Sequence, residues 1–375
     1  MKVVIAVDSF KGSLTSQEAG QAIQESILQT FPEWETDIIP IADGGEGTLN
    51  ILLKASGGEI ITKQAYDPLM KRTPATYGIS IDKSTAFIEM ANISGLPLVP
   101  TELQNPMKTT TYGTGELIRD ALERGCTKLI IGIGGSATND AGAGMLQALG
   151  YRFLDINRNP LGVGGKILGK IAFIDSTQKH SLLKKAHFIV ACDVNNPFFG
   201  PKGAAHVFAR QKGADDSMIV QLDQGMRSFA QIIHKETGKD ISDIPGSGAA
   251  GGMGGTILAF FDAEIKPGAD LLLDICQFDK KIANADLIIT GEGRIDRQSL
   301  MGKIPGKILQ KGIANFIPVI AIAGCVADRE LLTQAGFKGI YAAKPENMPL
   351  EESMKRDIAI QNLKKSTIAA ISELQ

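Results

Sequence analysis

The feature that most constrains the fold is a set of short Val- and Ile-rich runs without polar alternation. Such runs are typical of strands buried on both faces of a parallel sheet. Segments with helical periodicity separate them, which is the order of elements in an α/β protein. The predicted strands are KVVIAV (2–7), TDIIPIA (36–42), KLIIGI (128–133), HFIVAC (187–192), DLIIT (286–290) and PVIAIA (318–323).

Helix signals fall between these strands. Thr15 and Glu18 have the spacing of a capping box, which predicts that a helix begins there. Glycines at 125, 150 and 238 are expected to end three further helices. The helices predicted after residue 100 span about 114–124, 139–149, 216–237, 304–312 and 356–373.

Residues 58–93 interrupt this order with three short alternating segments, which predict an antiparallel meander. A chain of 375 residues also exceeds the size at which one hydrophobic core usually stops growing. We therefore predict two α/β domains. The first, residues 1–60 plus 285–375, is a doubly wound parallel sheet built from both termini, and the second, residues 61–284, is an inserted mixed-sheet domain.

Composition excludes several classes of partner. The 39 Lys and Arg against 41 Asp and Glu give a net charge of −2, and the absence of a long basic run argues against nucleic acid and anionic membranes. The N-terminal apolar run is too short for a signal peptide, so we expect a cytoplasmic protein. The four cysteines and four histidines are scattered, which favours buried free thiols over a transition-metal site. Oligomeric state is not indicated.

Four apolar runs end in an acidic residue: Asp8, Asp43, Asp193 and Glu292. An Asp after a strand often caps the next helix or forms an Asx turn. Ligands of open parallel sheets bind outside the carboxyl ends of the strands, however. Four acids in the same position therefore predict a shared cleft.

Charged neighbours of these acids suit a phosphorylated ligand. Lys11 in DSFKG is a compact positive charge for phosphate oxygens. Asp43 and Glu46 in DGGEG are candidate Mg²⁺ ligands, because Mg²⁺ prefers one or two carboxylates plus phosphate oxygens. Arg294 in GEGRID is able to bind a carboxylate or phosphate in bidentate fashion, or else to form a surface ion pair with Asp296.

Two glycine-rich segments, GIGGSATNDAGAG (132–144) and PGSGAAGGMGGTILAFF (245–261), are candidate anion sites. Successive backbone N–H groups in such turns bind anions without a cationic side chain. The first segment follows a strand and precedes a helix. The second fits close helix packing equally well.

Three functions compete for the first loop. A GxGxxA match at 132–137, with Asp155 about 20 residues on, favours an NAD-dependent hydroxy-acid dehydrogenase. Asp140 opposes this, because a carboxylate where the helix begins disfavours a second anion unless Mg²⁺ lies between them. Phosphoryl transfer uses the glycine loops, the acids and the cations together. A non-catalytic small-molecule sensor is the third alternative, and it would not need so many strand-end acids.

No GxxxxGK[ST], HRD or DFG motif is present, so a P-loop ATPase and a protein kinase are excluded. Eight segments instead resemble the bacterial glycerate kinases of the first type, in family order over nearly the whole chain. They read KVVIAVDSFKGSLTSQEA, PIADGGEGT, EMANISGLPLV, TTTYGTGELIRDAL, IIGIGGSATNDAGAGMLQALG, CDVNNPFFGPKGAAHVFARQKGA, GSGAAGGMGGTILAFF and DLIITGEGRIDRQSLMGKIPG.

The resemblance implies ATP-dependent phosphorylation of D-glycerate with Mg²⁺, on the 2-hydroxyl to give 2-phosphoglycerate. It also implies two α/β domains, one of them Rossmann-like and formed by both termini, with the active site in the cleft.

Residue roles are assigned from chemistry. Asp193 is expected to accept the proton of the substrate hydroxyl or to orient it. Lys11 and Arg294 are expected to bind the substrate carboxylate or the transferred γ-phosphoryl group, and Asp43 and Glu46 to bind Mg²⁺. The other predicted substrate-binding residues are Asp8, Ser9 and Asn195, and the predicted nucleotide-binding residues are Gly134, Gly135, Ser136, Thr138, Asn139, Asp140, Gly251, Gly252 and Gly254.

Overall fold

The chain divides into two compact units. The structure, a computed structural model, describes residues 1–39, 41, 53 and 57–373. The terminal unit comprises Met1–Leu52 and Ala269–Gln375, and the inserted unit comprises Leu53–Gly268. Each unit contains its own sheet and its own hydrophobic core.

The unit borders differ from the predicted ones at 60/61 and 284/285. Residues 269–284 belong to the terminal unit, because their helices are tied to the helix that begins at Ile304. Lys307 forms an ion pair with Asp270 at 2.9 Å, and Lys311 forms one with Asp279 at 2.6 Å.

The described strands are numbered in chain order. They are β1 Lys2–Val7, β2 Glu35–Ile38, β3 Glu59–Tyr66, β4 Arg72–Ile79, β5 Thr85–Glu89, β6 Lys128–Gly132, β7 Arg152–Leu154, β8 Phe173–Asp175, β9 His187–Ala191, β10 Asp262–Lys266, β11 Leu287–Gly291, β12 Arg294–Ile295, β13 Val319–Ala323, β14 Cys325–Val326 and β15 Gly339–Ala342.

The described α-helices are named by their bounds. They are Ser16–Thr30, Ala91–Ser94, Tyr112–Glu123, Ala143–Ala148, Ala204–Phe208, Asp216–Thr237, Met253–Phe260, Gly268–Ile275, Phe278–Ile282, Ile304–Ala314, Arg329–Ala335, Leu350–Ser353 and Arg356–Ser372.

The terminal unit is built on a five-stranded sheet in the order β15-β13-β11-β1-β2. Every neighbouring pair in it is parallel. All residues of β11 and β13 are buried, and β1 is buried from Val3 onward, as expected for a sheet covered on both faces. Burying one Val or Ile side chain contributes about 1.5–3 kcal/mol, so the three central strands dominate the core of this unit.

The inserted unit is built on a six-stranded mixed sheet in the order β10-β9-β6-β5-β4-β3. The predicted meander is confirmed, because β3 and β4, and β4 and β5, pair antiparallel. The remaining pairs, from β5 through β6 and β9 to β10, are parallel. The carboxyl ends of β6 and β9 therefore lie at one edge, which positions the glycine loop and Asp193.

Most predicted elements are present, and two boundaries move. The capping box is formed, since the Glu18 backbone N–H donates to Thr15 Oγ1 at 3.2 Å and the Thr15 N–H donates to Glu18 Oε2 at 2.9 Å. The helix expected at 139–149 spans only Ala143–Ala148, because 133–142 form a loop. The strand expected at 36–42 is shorter, since β2 spans Glu35–Ile38 and Ile39 and Ile41 lie outside it; residues 40 and 42 are outside the described part.

None of the helices in the described residues is long and apolar enough to span a membrane. All four cysteines are free thiols, as predicted; Cys126, Cys192 and Cys276 are buried, whereas Cys325 is half-buried. Burial raises the pKa of each of the three buried thiols, which keeps them in the unreactive thiol form.

Candidate active site

Two of the four strand-end acids emerge at one edge of the terminal unit's sheet. Val7 of β1 is in register with Gly291 of β11, so Asp8 and Glu292 follow at the same level. The Asp8 backbone N–H donates to the Gly291 carbonyl at 2.8 Å. Both side chains are buried, Asp8 at 3% and Glu292 at 8% exposure. Asp193 follows β9 in the other sheet, and Asp43 lies outside the described residues.

Local hydrogen bonds fix the orientation of the Glu292 carboxylate. Ser299 Oγ donates to Glu292 Oε1 at 2.5 Å, and the Lys303 ammonium lies 3.9 Å from Oε2. Ser299 is itself held by Asp296, which caps the 3₁₀ turn Arg297–Leu300 and accepts a hydrogen bond from the Gln298 N–H. The segment after β11 is thus a rigid support for one buried carboxylate.

A cavity of about 670 Å³ opens beside this carboxylate in the terminal unit. This volume is within the usual range of small-molecule sites. Three predicted site residues, Ser9, Lys11 and Arg294, line it together. The charged lining residues are the cations Lys11, Arg294, Lys303 and Lys344 and the acids Glu292 and Asp296. The excess of cations suits an anionic ligand.

Arg294 takes part in the surface ion pair that the sequence left open. Its Nε lies 3.4 Å from Asp296 Oδ2, and its side chain is 70% exposed. Exposed pairs of this kind contribute about 0–1 kcal/mol, so a carboxylate or phosphate ligand replaces the partner at low cost. Lys344 is held differently, since its ammonium donates to the carbonyls of Pro345 and Met348 at 3.1 and 3.0 Å.

The glycine loop of the inserted unit has an exposed tip and a buried base. Gly134 and Gly135 are exposed, and a Cβ atom on Gly134 would meet no atom within 4 Å. Gly135 has a φ of +71°, which favours glycine. Within the described chain, the N–H groups of these two glycines donate no hydrogen bond. The tip therefore presents open backbone donors to an anion.

The base of this loop is closed around Asp140, which is fully buried. Asp140 Oδ2 accepts hydrogen bonds from the Thr111 N–H at 2.8 Å, Thr111 Oγ1 at 3.0 Å, Thr110 Oγ1 at 3.2 Å and the Gly144 N–H at 3.2 Å. Oδ1 accepts from the Gly142 N–H at 3.2 Å. Burial raises the pKa of Asp140, and the hydrogen bonds led by Thr111 oppose that rise.

The other predicted residues of the loop divide between tip and base. Ser136 is 7% exposed and borders the tip, whereas Thr138 and Asn139 are fully buried. Thr138 Oγ1 and Asn139 Oδ1 have no hydrogen-bond partner within the described part of the chain. Only Gly134, Gly135 and Ser136 are therefore placed to contact a ligand directly.

The second glycine segment packs against the first. The Ala141 N–H donates to the Gly251 carbonyl at 3.0 Å. A Cβ atom on Gly251 would lie 2.2 Å from the Thr138 carbonyl oxygen, and one on Gly254 would lie 2.6 Å from the Gly246 carbonyl oxygen. Gly252 and its neighbours are buried. The close-packing interpretation of this segment accounts for each of these glycines.

The loop does not have the surroundings of a dinucleotide fingerprint. In that motif the third position opens a helix within a βαβ unit, but here Ala137 lies in the loop and the helix Ala143–Ala148 begins later. Asp155 lies in the turn after β7, where its Oδ1 accepts from the N–H groups of Asn157 and Asn159 at 2.9 and 2.8 Å. Among the described strands, β7 pairs with β8 in a separate two-stranded sheet.

Asp193 directly follows the buried thiol at the end of β9, and its side chain is exposed. Its Oδ1 accepts a hydrogen bond from the Gly268 N–H at 2.8 Å, which orients the carboxylate and leaves Oδ2 for another donor. Asn195, two residues on, is also exposed. Both side chains are thus accessible to a substrate.

The proposed magnesium ligands Asp43 and Glu46 lie outside the described residues. Over residues 1–39, 41, 53 and 57–373 there is no group of three or more His, Cys, Asp or Glu side chains arranged to hold a metal ion. A site of one or two carboxylates completed by phosphate oxygens does not require such a group.

Three lysines at these sites are not among the residues predicted from the sequence. Lys303 lies at the N-cap of the helix Ile304–Ala314. Pro305, in the first turn of that helix, is a sequence signal for the helix start. Lys344 gave no local signal. Lys212 is buried beneath the glycine loop, where its ammonium donates to Ser136 Oγ and to the Thr138 carbonyl, both at 2.7 Å.

The chain is similar to known proteins over nearly its whole length. The sequence model of the glycerate kinase family matches residues 3–374. The chain belongs to the glycerate kinase family. The glycerate kinase of Bacillus subtilis (strain 168) is 45% identical over 356 residues, which cover 95% of this chain and 93% of that protein.

Two further relatives carry a numbered name. The glycerate 2-kinase of Escherichia coli (strain K12) is 44% identical over 356 residues, covering 95% of this chain and 93% of that protein. A crystal structure of a putative glycerate kinase 2 from Salmonella typhimurium LT2 is 41% identical and superposes with a TM-score of 0.90, covering 100% of this chain and 98% of that one. The fold of two α/β domains is thus shared within the family.

Proposed function

We propose that this protein is a glycerate kinase that transfers the γ-phosphoryl group of ATP to the 2-hydroxyl of D-glycerate, giving 2-phosphoglycerate and ADP. The observation that carries this proposal is the family match over residues 3–374. The position of transfer follows the name of the Escherichia coli relative, a glycerate 2-kinase. Because the reaction consumes ATP, we place the protein in the cytoplasm.

The substrate anion is bound in the cavity of the terminal unit. Ser9, Lys11 and Arg294 line it together, and Lys303 and Lys344 add positive charge. The buried Asp8 supports the Ser9 backbone, whose N–H donates to Asp8 Oδ1 at 2.6 Å. These cations hold either the carboxylate of glycerate or the transferred phosphoryl group, since both are anions of similar hydrogen-bonding geometry.

The nucleotide phosphates are bound at the tip of the glycine loop in the inserted unit. The free N–H groups of Gly134 and Gly135 and the hydroxyl of Ser136 are the donors. The buried residues Thr138, Asn139, Asp140, Gly251, Gly252 and Gly254 shape the loop from beneath. Asp43 and Glu46, together with phosphate oxygens, would hold Mg²⁺, which would neutralise part of the triphosphate charge.

Asp193 is the residue that we propose to accept or orient the hydroxyl proton of glycerate. The support for this role is that its carboxylate is exposed and accepts one hydrogen bond, from the Gly268 N–H. In phosphoryl transfer the attacking oxygen needs placement more than a strong base. Asn195 lies beside it as a candidate donor to the remaining hydroxyl group.

A coupled assay with ATP, Mg²⁺ and D-glycerate tests the proposal. The expected result is ADP formation that depends on glycerate, with 2-phosphoglycerate and not 3-phosphoglycerate as the separated product. Absence of glycerate-dependent ADP formation, together with reduction of NAD by a hydroxy acid, would overturn the kinase in favour of the dehydrogenase.

A further inference from the structure

Lys212 is a buried cation that has no role in the proposed reaction. It is 2% exposed and lies in the 3₁₀ turn Arg210–Lys212. Its ammonium donates to Ser136 Oγ and to the Thr138 carbonyl, each at 2.7 Å. A lysine is almost never buried without a carboxylate partner, and both of these acceptors are neutral.

Local contacts fix the backbone of the turn that carries Lys212. The Lys212 N–H donates to the Ala209 carbonyl at 3.0 Å. Gly213 follows with a φ of +91°, and a Cβ atom there would lie 2.1 Å from the Gln104 carbonyl oxygen. Position 213 therefore accommodates only glycine, and the hydrogen bonds of the Lys212 amine to Ser136 and Thr138 direct it toward the loop.

The charges around Lys212 leave its own charge poorly compensated. Burial lowers the pKa of Lys212 to about 7, and among the described residues the charge of Asp140 opposes this shift. Asp140 accepts hydrogen bonds from Thr110, Thr111, Gly142 and Gly144, and none from the Lys212 amine. The next acids along the chain are engaged elsewhere, Asp215 with the Met218 N–H and Asp216 with Arg210.

A bound anion at the loop tip would supply the missing compensation. Ser136, the acceptor of the Lys212 amine, adjoins the exposed Gly134 and Gly135. The charge is shielded from water, so its attraction for a phosphate at the tip is stronger than that of a surface lysine. Burial of a cation without a nearby negative charge lowers the stability of the fold. A bound anion offsets this cost, so such a cation is useful at an anion site.

We propose that Lys212 is a positioning residue for the nucleotide, which fixes the loop tip through Ser136 and Thr138 and balances the phosphate charge from beneath. This inference rests on the proposed nucleotide site at the tip. Lys212 thus gives the loop a cationic side chain from a distant part of the sequence.

Equilibrium binding of Mg·ADP, measured by titration calorimetry on the full chain, tests this role. Lys212→Met removes the amine, and Lys212→Gln keeps a hydrogen-bond donor without the charge. Both are expected to raise the Kd for Mg·ADP by tenfold or more, with a smaller effect on kcat at saturating ATP. Lys235→Met, at an exposed position of the helix Asp216–Thr237, is the matched control and is expected to bind like the wild type.

The pH dependence of binding is a readout that a purely structural lysine would not change. Because burial lowers the pKa of Lys212 to about 7, the amine loses its proton as the pH rises through this value, and phosphate binding at higher pH is expected to take up a proton. Wild-type affinity is therefore expected to fall by up to about tenfold per pH unit between pH 7.5 and 9. Lys212→Met and Lys212→Gln are expected to bind weakly and without this slope.

The outcomes separate this inference from the proposed function, because binding of Mg·ADP does not need glycerate. Wild-type binding by Lys212→Gln, or a wild-type pH slope retained in Lys212→Met, would overturn the charge role. Failure of the wild type to bind Mg·ADP would overturn the inference as a whole. If Lys212→Met does not fold, the slope of the wild-type protein alone decides: a flat profile refutes the role.

Discussion

At the scale of single residues, two aspartates of the inserted unit lie in opposite environments. Asp193 has an exposed carboxylate with one hydrogen bond, from the Gly268 N–H. Asp140 is fully buried and accepts five hydrogen bonds from its own unit. The same residue type therefore serves two purposes, with Asp193 available to a ligand and Asp140 closing the loop.

Substitution of Asp193 by Asn is expected to lower kcat by a factor of about 10²–10⁴. The amide keeps the size of the side chain and the hydrogen bond from Gly268, but it no longer accepts the proton of the attacking hydroxyl. Steady-state kinetics with D-glycerate measure the loss, and thermal unfolding checks the fold. Asp243→Asn, at an exposed position of the same unit, is the control. A kcat within a few-fold of wild type would exclude Asp193 as the base.

Substitution of Asp140 by Asn is expected to affect stability first. The amide nitrogen would face at least one N–H donor at a buried site, which costs about 1–3 kcal/mol of the free energy of unfolding. Urea denaturation measures this loss, and kcat at saturating ATP is expected to stay within about tenfold of wild type. An unchanged denaturation midpoint with kcat lowered a hundredfold or more would instead assign Asp140 to the chemistry.

At the scale of elements, the glycine-rich segments show what sequence patterns predict and what they do not. Periodicity predicted β1, β6, β9, β11 and β13 to within a residue or two, since strands buried on both faces carry an unambiguous apolar signal. Glycine content alone did not separate the exposed tip of the first segment from the packed second segment. That difference is a tertiary contact, such as that of Gly251 with the Thr138 backbone, which leaves no local trace.

Strands with weak apolar patterns and contacts between distant residues are likewise not predicted from the sequence. β10 and β15 are half-buried edge strands, so their apolar patterns are diluted by polar residues. Lys212 and Ser136 are 76 residues apart in the chain, and nothing near Lys212 indicates its partner. Strand ends and loops thus indicate candidate site residues along the chain, but not which of their side chains are buried.

Gly134→Ala separates ligand contact from folding. A Cβ atom at this position meets no protein atom within 4 Å, and the backbone has no positive φ, so thermal stability is expected to be unchanged. The added methyl group projects from the proposed phosphate site, and the KM for ATP is expected to rise at least fivefold. Gly162→Ala, equally open and exposed, is the matched control and should leave both values unchanged. An unchanged KM in Gly134→Ala would remove the tip from the nucleotide site.

At the scale of the whole molecule, the candidate functions are divided between two units with separate cores. The cations of the cavity, Lys11 and Arg294 among them, belong to the terminal unit, and the glycine loop, Lys212 and Asp193 belong to the inserted unit. The inserted unit is one continuous stretch, Leu53–Gly268, whereas the terminal unit needs both ends of the chain. The core of the inserted unit includes the fully buried Phe188, Phe198 and Phe229.

A fragment of residues 53–268 is therefore expected to fold cooperatively and to bind ADP without Mg²⁺, since it lacks the proposed metal ligands Asp43 and Glu46, and to show no phosphorylation of glycerate. It retains the loop tip and Lys212 and lacks the cavity that contains Ser9, Lys11 and Arg294. Circular dichroism with a thermal melt tests folding, calorimetry tests binding, and the coupled assay tests turnover. A folded fragment that binds no nucleotide, while the full chain does, would move the nucleotide site to residues of the terminal unit. Glycerate-dependent ADP formation by the fragment would show that the cavity is dispensable for the reaction.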